Sequence, residues 1–246
     1  MKHSKIEWTE ATWNPSIGCD KVSAGCKLCY AEVMAHRLQA MGTPGYENGF
    51  EFKILPSRLD VPSKIKKPTM FFVNSMSDLF HEQMPFEYLD KIFNKIRNTP
   101  HHTYQILTKR EENLAKYFQG KDVPDNVWLG VTVEIAKVKH RIDVLRNIGA
   151  NIRFISIEPL LEHVGELDLT DIHWVIVGGE SGHKARPMQP SWAVDIQRQC
   201  EEQNVSFFFK QWGAWGADGI KRNKKANGRF LLGKEWNNQP EYETIQ

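Results

Sequence analysis

Several features that place a protein in a compartment or a common reaction are missing here. The 246 residues contain no apolar run near the ~18 residues a membrane span needs. The opening MKHSKIEWTE has no apolar core of the secretory-signal kind, so a cytoplasmic protein with no membrane partner is expected. Neither sign of charge dominates. The 32 Lys and Arg against 30 Asp and Glu leave +2, which permits contact with nucleic acid without requiring it. There is no internal repeat, no low-complexity stretch and no Gly-x-Gly-x-x-Gly after the first strand, which counts against a dinucleotide fold. His81, His101, His102, His140, His163, His173 and His183 are scattered without a His-x-Glu or His-Glu-x-x-His pattern, which argues against a hydrolytic zinc site. Cysteine is scarce too, at four residues.

What is present is an alternation. An extended start at 6–8 leads into a cysteine loop at 18–30 and a helix at 30–41. A glycine- and proline-rich stretch, 42–68, carries no clear period. Strands are then expected at 69–75, 103–108, 127–133, 151–160, 173–179 and 205–212, and helices at 85–98, 110–120, 136–149 and 191–204. Phe86, Leu89, Ile92, Phe93 and Ile96 recur at helical spacing, as do Val138, Ile142, Leu145 and Ile148. Short apolar strands separated by helices predict parallel pairing through right-handed crossovers. With the extended start there are six or seven strands, short of the eight of a closed barrel. The expected class is α/β: an open, partial parallel β/α barrel, or else a doubly wound sheet. Residues 1–213 are assigned to this body. Residues 214–246 are assigned to an irregular extension packed on it through Trp215, Phe230 and Trp236.

Either architecture puts function at the carboxyl ends of the strands. Those ends carry Asn74, Ser75 and Asp78; Thr108, Lys109 and Arg110; Thr132 and Glu134; Ser156 and Glu158; Glu180 and Ser181; Lys210 and Gln211. Turn chemistry explains some of this polarity. Charged or hydroxyl residues at six successive exits point to a functional rim.

Three of the four cysteines, Cys19, Cys26 and Cys29, fall in GCDKVSAGCKLCYAE with C-x6-C-x2-C spacing. Gly18 and Gly25 precede two of them and permit tight turns. The helix after Cys29 presents N–H groups that favour thiolate charge. Soft sulfur ligands select zinc, Cu(I) or iron–sulfur clusters. The alternatives are three free thiols, a structural zinc with His36 or Cys200 as fourth ligand, or a 4Fe–4S cluster with one iron left open. Placement after the first strand favours the cluster. Trp13-Asn14-Pro15 is expected to combine core packing with shielding of the thiols. Cys200, on an apolar-periodic helix, is expected to be buried and inert. The basic runs at 64–67 and 221–225 read first as solvated surface, second as phosphate contacts.

The segments WTEATWNPSIGCDKVSAGCKLCYAE, SIEPLL, VGGESG, KQWG and GRFLLGKEWNNQP are similar to phage and bacterial three-Cys-motif proteins of the Gp-thirty-seven/Gp-sixty-eight type. The cysteine loop after strand one resembles the radical S-adenosylmethionine (SAM) superfamily, which implies a partial barrel. The resemblance spans nearly the whole chain. It implies that Cys19, Cys26 and Cys29 hold three irons of a 4Fe–4S cluster and that the fourth iron binds SAM. Reduction would then cleave SAM to methionine and a 5′-deoxyadenosyl radical that abstracts hydrogen from substrate. The sequence departs from the superfamily pattern in three places. Its first gap is six residues instead of three, Leu28 stands where an aromatic usually precedes the third cysteine, and Gly-Gly-Glu lies at 178–180, about the sixth strand, instead of the second.

The superfamily role of that motif is therefore not transferred to it. Ser75 or Asp78, at the matching exit, is expected to meet the SAM amino group, with turn capping as the alternative for Asp78. Thr108, Lys109, Glu134, Glu158, Glu180 and Ser181 complete the expected cofactor-facing set. Gly178 and Gly179 would let backbone approach a flat ring, or simply end a strand. A nucleic-acid or nucleotide substrate and a reductant protein are the expected partners. The rival expectation is a metal-stabilised nucleic-acid-binding module without catalysis.

Overall fold

Apolar runs with helical returns dictate a sheet covered on one face by helices, and the computed structural model shows that sheet. It describes residues 4 and 6–241. In chain order the elements are β1 (Ala11–Trp13), β2 (Ser16–Ile17), α1 (Tyr30–Ala40), β3 (Lys53–Ile54), β4 (Met70–Val73), α2 (Phe86–Arg97), β5 (Thr103–Thr108) and α3 (Glu111–Phe118). There follow β6 (Val127–Thr132), α4 (His140–Arg146), β7 (Ile152–Ile157), β8 (Trp174–Gly178), α5 (Pro190–Glu202), β9 (Ser206–Gln211), α6 (Lys224–Asn227), β10 (Phe230–Leu231) and β11 (Lys234–Glu235).

Strands β1, β4, β5, β6, β7, β8 and β9 pair in that order, every pair parallel. A sheet of seven strands that winds always in one direction gives an open half-barrel rather than a doubly wound sheet. β2 and β3 form a separate antiparallel pair beneath the cysteine loop.

Side chains alternate across each strand. One face meets the helices: Phe71, Tyr104, Leu129, Ile155, Val175 and Phe209 are buried there with the apolar sides of α2 to α5. The concave face is plugged at its lower end by Trp8, Phe72, Trp128, Phe154, Trp174 and Phe208. Trp174 is central, with ring centroids 6.1 Å from Trp8, 5.9 Å from Trp128, 5.7 Å from Phe154 and 5.9 Å from Phe208. Burial of each ring contributes about 1.5–3 kcal/mol, and favourable edge contacts add ~0.5–1.5. These rings fill the interior below the mouth, so the open space inside the half-barrel lies above them.

The structure differs from the sequence-based expectation in several places. Residues 6–8 form a turn, and the first strand is Ala11–Trp13. Trp8 belongs to the aromatic plug, so its burial serves the barrel interior. The helix expected at 136–149 opens as a 3₁₀ turn at Ala136–Val138, and only His140–Arg146 is α-helical. Between β7 and β8 the chain runs without a helix, in agreement with the sequence reading. The connection buries Leu160, Val164, Leu167, Leu169 and Ile172 instead. Trp13 is core, 1% exposed, with Nε1 donating to Arg58 O at 2.8 Å, which bears out the core-packing part of its expected role. Among the described residues, no helix is long and apolar enough to cross a membrane.

Beyond β9 the chain returns along the sheet edge. Phe208 bridges Asn237 in antiparallel fashion, Phe209 N donates to Trp236 O at 3.0 Å, and Trp174 Nε1 donates to Asn238 O at 2.8 Å. An edge strand covered in this way is protected from pairing with another chain. Trp215 and Trp236 contact the body as expected, through Ala185 O and the Phe207 ring. Phe230 is 61% exposed and meets the body through its carbonyl, which accepts from Trp212 Nε1 at 2.9 Å, while neighbouring Leu231 is buried.

Candidate active site at the barrel mouth

The alternation that turns Phe72, Trp128, Phe154, Trp174 and Phe208 inward carries Lys109, Thr132, Ser156 and Lys210 onto the same face two or four residues later. Lys109 Nζ lies 3.3 Å from Thr132 Oγ1. Lys210 Nζ reaches both oxygens of Glu158, at 2.8 and 3.0 Å. The mouth is thus a ring of charged and hydroxyl groups above an aromatic floor.

The cysteine loop lies across this mouth. It leaves β2 through Gly18, whose φ is +77° and where a Cβ would fall 2.0 Å from Glu51 O, so only glycine fits. Cys19 N donates to Phe50 O at 3.1 Å. A 3₁₀ turn, Ala24–Cys26, follows, and Cys29 is the residue capping the N-terminus of α1. Three rim residues hold the loop down. Arg110 donates to Cys19 Sγ at 3.3 Å and to Asp20 O at 3.2 Å. Glu134 Oε1 accepts from Gly25 N at 3.2 Å. Arg186 donates to Ala24 O at 3.1 Å and is itself gripped by Glu180, with Nε and N–H bonds of 2.9 and 2.8 Å. Tyr30 adds a fourth tie, its hydroxyl donating to Ser75 O at 2.5 Å.

All three thiols are partly exposed and unbonded to one another, whereas Cys200 is fully buried in α5. Burial pushes Cys200 up to about 12, the chemistry of an inert thiol. Burial also pushes Cys19 up, to about 11, with the Asp78 carboxylate adding to the shift and Arg110 opposing it. A bound metal or cluster would convert such a thiol to thiolate. Around one tetrahedral zinc, sulfurs at Zn–S ≈ 2.3 Å sit about 3.8 Å apart. The three Sγ atoms do not all lie within 4.8 Å of one another. Three soft donors on one loop, with Cys200 buried apart from them, fit the ligand set of a cluster with one iron left open.

The expected cofactor-facing residues are placed as follows. Asp78 is 7% exposed and accepts from Phe80 N at 3.0 Å, Thr108 Oγ1 at 2.7 Å and Lys109 N at 3.0 Å, and it pairs with Arg110 at 3.3 Å. Both of its oxygens are thus engaged by the protein, so Asp78 and Thr108 tie the β4 exit to the β5 exit. Ser75 Oγ donates to Asn14 Oδ1 at 3.1 Å, which also accepts from Met76 N. Asn14, read in the sequence only as part of the Trp13-Asn14-Pro15 segment, therefore positions the β4 exit. Glu134 is fully buried and paired with Arg141 at 3.2 Å. Burial pushes its carboxyl up, but Lys109, the Ser23 hydroxyl and Arg141 together outweigh this and hold it below the ordinary carboxylate value. Ser181 Oγ accepts from Gln211 at 3.0 Å, away from the loop.

Gly178 and Gly179 serve the protein's own packing. A Cβ at Gly179 would lie 2.0 Å from Trp212 O, and one at Gly178 would lie 3.2 Å from the Glu158 carboxyl. Sequence reasoning missed the partners. Arg110 counted only as rim polarity, and Arg141 and Arg186 were not singled out. An arginine between apolar helix positions, as Arg141 is, was the available signal.

A further cluster escaped notice because its members are not patterned in sequence. Asp20, His81 and Glu82 gather within 4.8 Å beside Arg110. Gln83 N donates to His81 Nδ1 at 3.2 Å, so the ring proton sits on Nε2, facing Asp20 Oδ2 at 3.1 Å. Glu82 is taken by Arg110 Nε at 2.8 Å. The trio is a hydrogen-bonded brace for the loop, with the His nitrogen it presents already protonated.

This half-barrel is a fold seen in solved enzymes. The chain is similar to two point mutants of spore photoproduct lyase, each with TM-score 0.54 and 12% identity over 85% of this chain and 78% of that one. It also matches spore photoproduct lyase complexed with dinucleoside spore photoproduct, with TM-score 0.48 and 13% identity over 82% of this chain, and it spans 63% of that protein's length. At such identities the likeness is one of fold. No curated protein matches the sequence. The chain belongs to the family described as "Protein of unknown function (DUF5131)", which matches residues 3–240.

Proposed function

We propose that the protein is a radical SAM-type enzyme. Cys19, Cys26 and Cys29 would hold a 4Fe–4S cluster. SAM would bind above the aromatic floor, among Lys109, Glu158 and Lys210. The observation that carries this is the position of the three-thiol loop, pinned across the carboxyl mouth of a parallel half-barrel by Arg110, Glu134 and Arg186. The cluster would supply one electron to the SAM sulfonium, which splits into methionine and a 5′-deoxyadenosyl radical. The chain's own part is to orient and to exclude water. The packed floor closes the interior from below, and the Glu158–Lys210 pair and Lys109 offer charges for the amino-acid and ribose groups of SAM.

The finer readings belong to the same proposal. The chain would be a cytoplasmic member of the phage-type three-Cys proteins, served by a reductant protein. Its catalytic body would be residues 1–213 and its edge-covering extension residues 214–246. Its substrate would be a nucleic acid or nucleotide, supported by the exposed lysines at 64–67 and 221–225.

Anaerobic reconstitution with iron and sulfide tests the proposal. The expected product is a brown protein absorbing broadly near roughly 400 nm, which releases 5′-deoxyadenosine with dithionite and SAM. Cys200→Ala should load as the wild type does, and Cys19→Ala should not. A colourless protein carrying one tight zinc would end the proposal and leave the metal-stabilised nucleic-acid-binding module.

A further inference from the structure

Resting on the radical SAM reading, we propose that Arg110 is the positioning residue that sets the cluster's reduction potential, by hydrogen-bonding and charging the Cys19 sulfur. Its Nη1 lies 3.3 Å from Cys19 Sγ. The guanidinium is 4% exposed and fixed on every side, by Glu82 at Nε (2.8 Å), Asp78 at Nη1 (3.3 Å) and the Asp20 carbonyl at Nη2 (3.2 Å). Asp78 cannot drift, because Thr108 Oγ1, Lys109 N and Phe80 N all donate to it. The planar fork of arginine suits such a fixed role, which a lysine would fill only as a point charge.

The other sulfurs are treated differently. Cys26 has the neutral Ser23 hydroxyl at 3.6 Å, and the cation near Cys26 and Cys29 is Lys21, exposed, screened by water and paired with Glu32 at 2.9 Å. One iron corner thus receives a guanidinium N–H donor, its charge shared with two carboxylates, in a partly desolvated place. Reduction by one electron from an external donor, dithionite in the test, adds negative charge that spreads onto the cluster sulfurs. A cation and a hydrogen bond at one sulfur stabilise that reduced form and raise its potential. Asp78 and Glu82 set two negative charges against its one, so the setting depends on the balance among the three groups and removing any one of them moves it.

The test is an EPR-monitored redox titration of the reconstituted full-length protein. Arg110→Gln should load iron and shift the reduction equilibrium about tenfold toward the oxidised cluster, which is 59 mV for one electron. Arg110→Lys, which keeps the charge, should recover at least half of that shift. An iron-loaded Arg110→Gln protein with the wild-type potential overturns the inference. If Arg110→Gln loads no iron, Glu82→Gln decides: it leaves the guanidinium less neutralised and must raise the potential, and an unmoved value overturns the inference. A wild-type protein that forms no cluster sinks the radical SAM reading, and this inference with it. A loaded wild type with unmoved variants sinks this inference alone.

Discussion

Glu158 and Lys210 meet across the exits of β7 and β9, with Lys210 Nζ 2.8 and 3.0 Å from the two carboxylate oxygens and β8 between them. Gly178 on that middle strand makes the meeting possible, since any Cβ there would press on the Glu158 carboxyl at 3.2 Å. The side chains are 15% and 18% exposed, so water screens the pair only in part. Lys210→Met should leave Glu158 as a poorly solvated charge and cost about 1–3 kcal/mol. The double variant Glu158→Gln/Lys210→Met should recover part of that loss. Urea denaturation of the single and double variants measures the coupling, and strictly additive losses would show the two residues to be independent.

Gly130 and Phe154 make the equivalent argument lower in the barrel. They are directly paired on β6 and β7, and a Cβ at Gly130 would sit 2.5 Å from the Phe154 ring. That ring is fully buried between Trp8 and Trp174 and has nowhere to move. Gly130→Ala should therefore destabilise the protein by about 1–3 kcal/mol, as overpacking does. In a Phe154→Leu background the same change should cost markedly less. Thermal unfolding of the three variants decides it, and a neutral Gly130→Ala would mean that the plug is looser than its contacts imply.

The sheet was largely legible in the sequence because its strands are buried on both faces. Runs such as VWLGVT and WVIVG read as near-continuous apolar segments, and nothing but a covered parallel strand needs that pattern. The first strand was misplaced because a three-residue strand leaves almost no periodicity, and because Trp8 is buried by a tertiary role that no local rule detects. The rim was legible as residue types at strand exits. Its wiring was not, because the partners are remote: Arg110 and Cys19 are 91 residues apart, and Arg186 and Ala24 are 162 apart. Asp78 shows the difference. Its place at an exit suggested a ligand contact or a turn cap; the bond from Phe80 N shows the cap, and its other partners make it a joint between two strands.

The grip of Glu134 on the cysteine loop predicts a local effect. Gly25 N donates to Glu134 Oε1, and Arg141 holds the other oxygen while keeping its own bonds to Glu111 Oε2 (3.0 Å) and Thr132 O (2.9 Å). Because Arg141 retains those partners, Glu134→Gln should be tolerated globally while loosening the loop. Lys21 and Lys27 are exposed on that loop, so tryptic cleavage there should speed up several-fold with little change elsewhere. Uniform acceleration along the chain would point instead to global destabilisation, and an unchanged rate to a loop held mainly by Arg110 and Arg186.

The buried histidines predict a loss of stability in mild acid. His102 is fully buried, accepts from Thr69 N at Nδ1 (3.2 Å) and donates from Nε2 to Ile65 O (3.0 Å). Burial lowers its pKa from the usual 6.5 more than the Pro62 and Ile65 carbonyls raise it, and neighbouring His101 lowers it further. His81 and His173 are lowered for the same leading reason, burial. Below about pH 6.5 the unfolded chain takes up these protons while the folded chain resists them. The stabilisation is therefore present in full above that pH and is lost as the pH falls through the depressed folded values. Melting temperature should drop between about pH 7 and 5. His102→Gln can keep a hydrogen-bond acceptor and a donor in the same place without titrating. It should start less stable, by about 1–2 kcal/mol, and lose less across that interval. Parallel pH profiles for the two proteins would rule His102 out as a contributor.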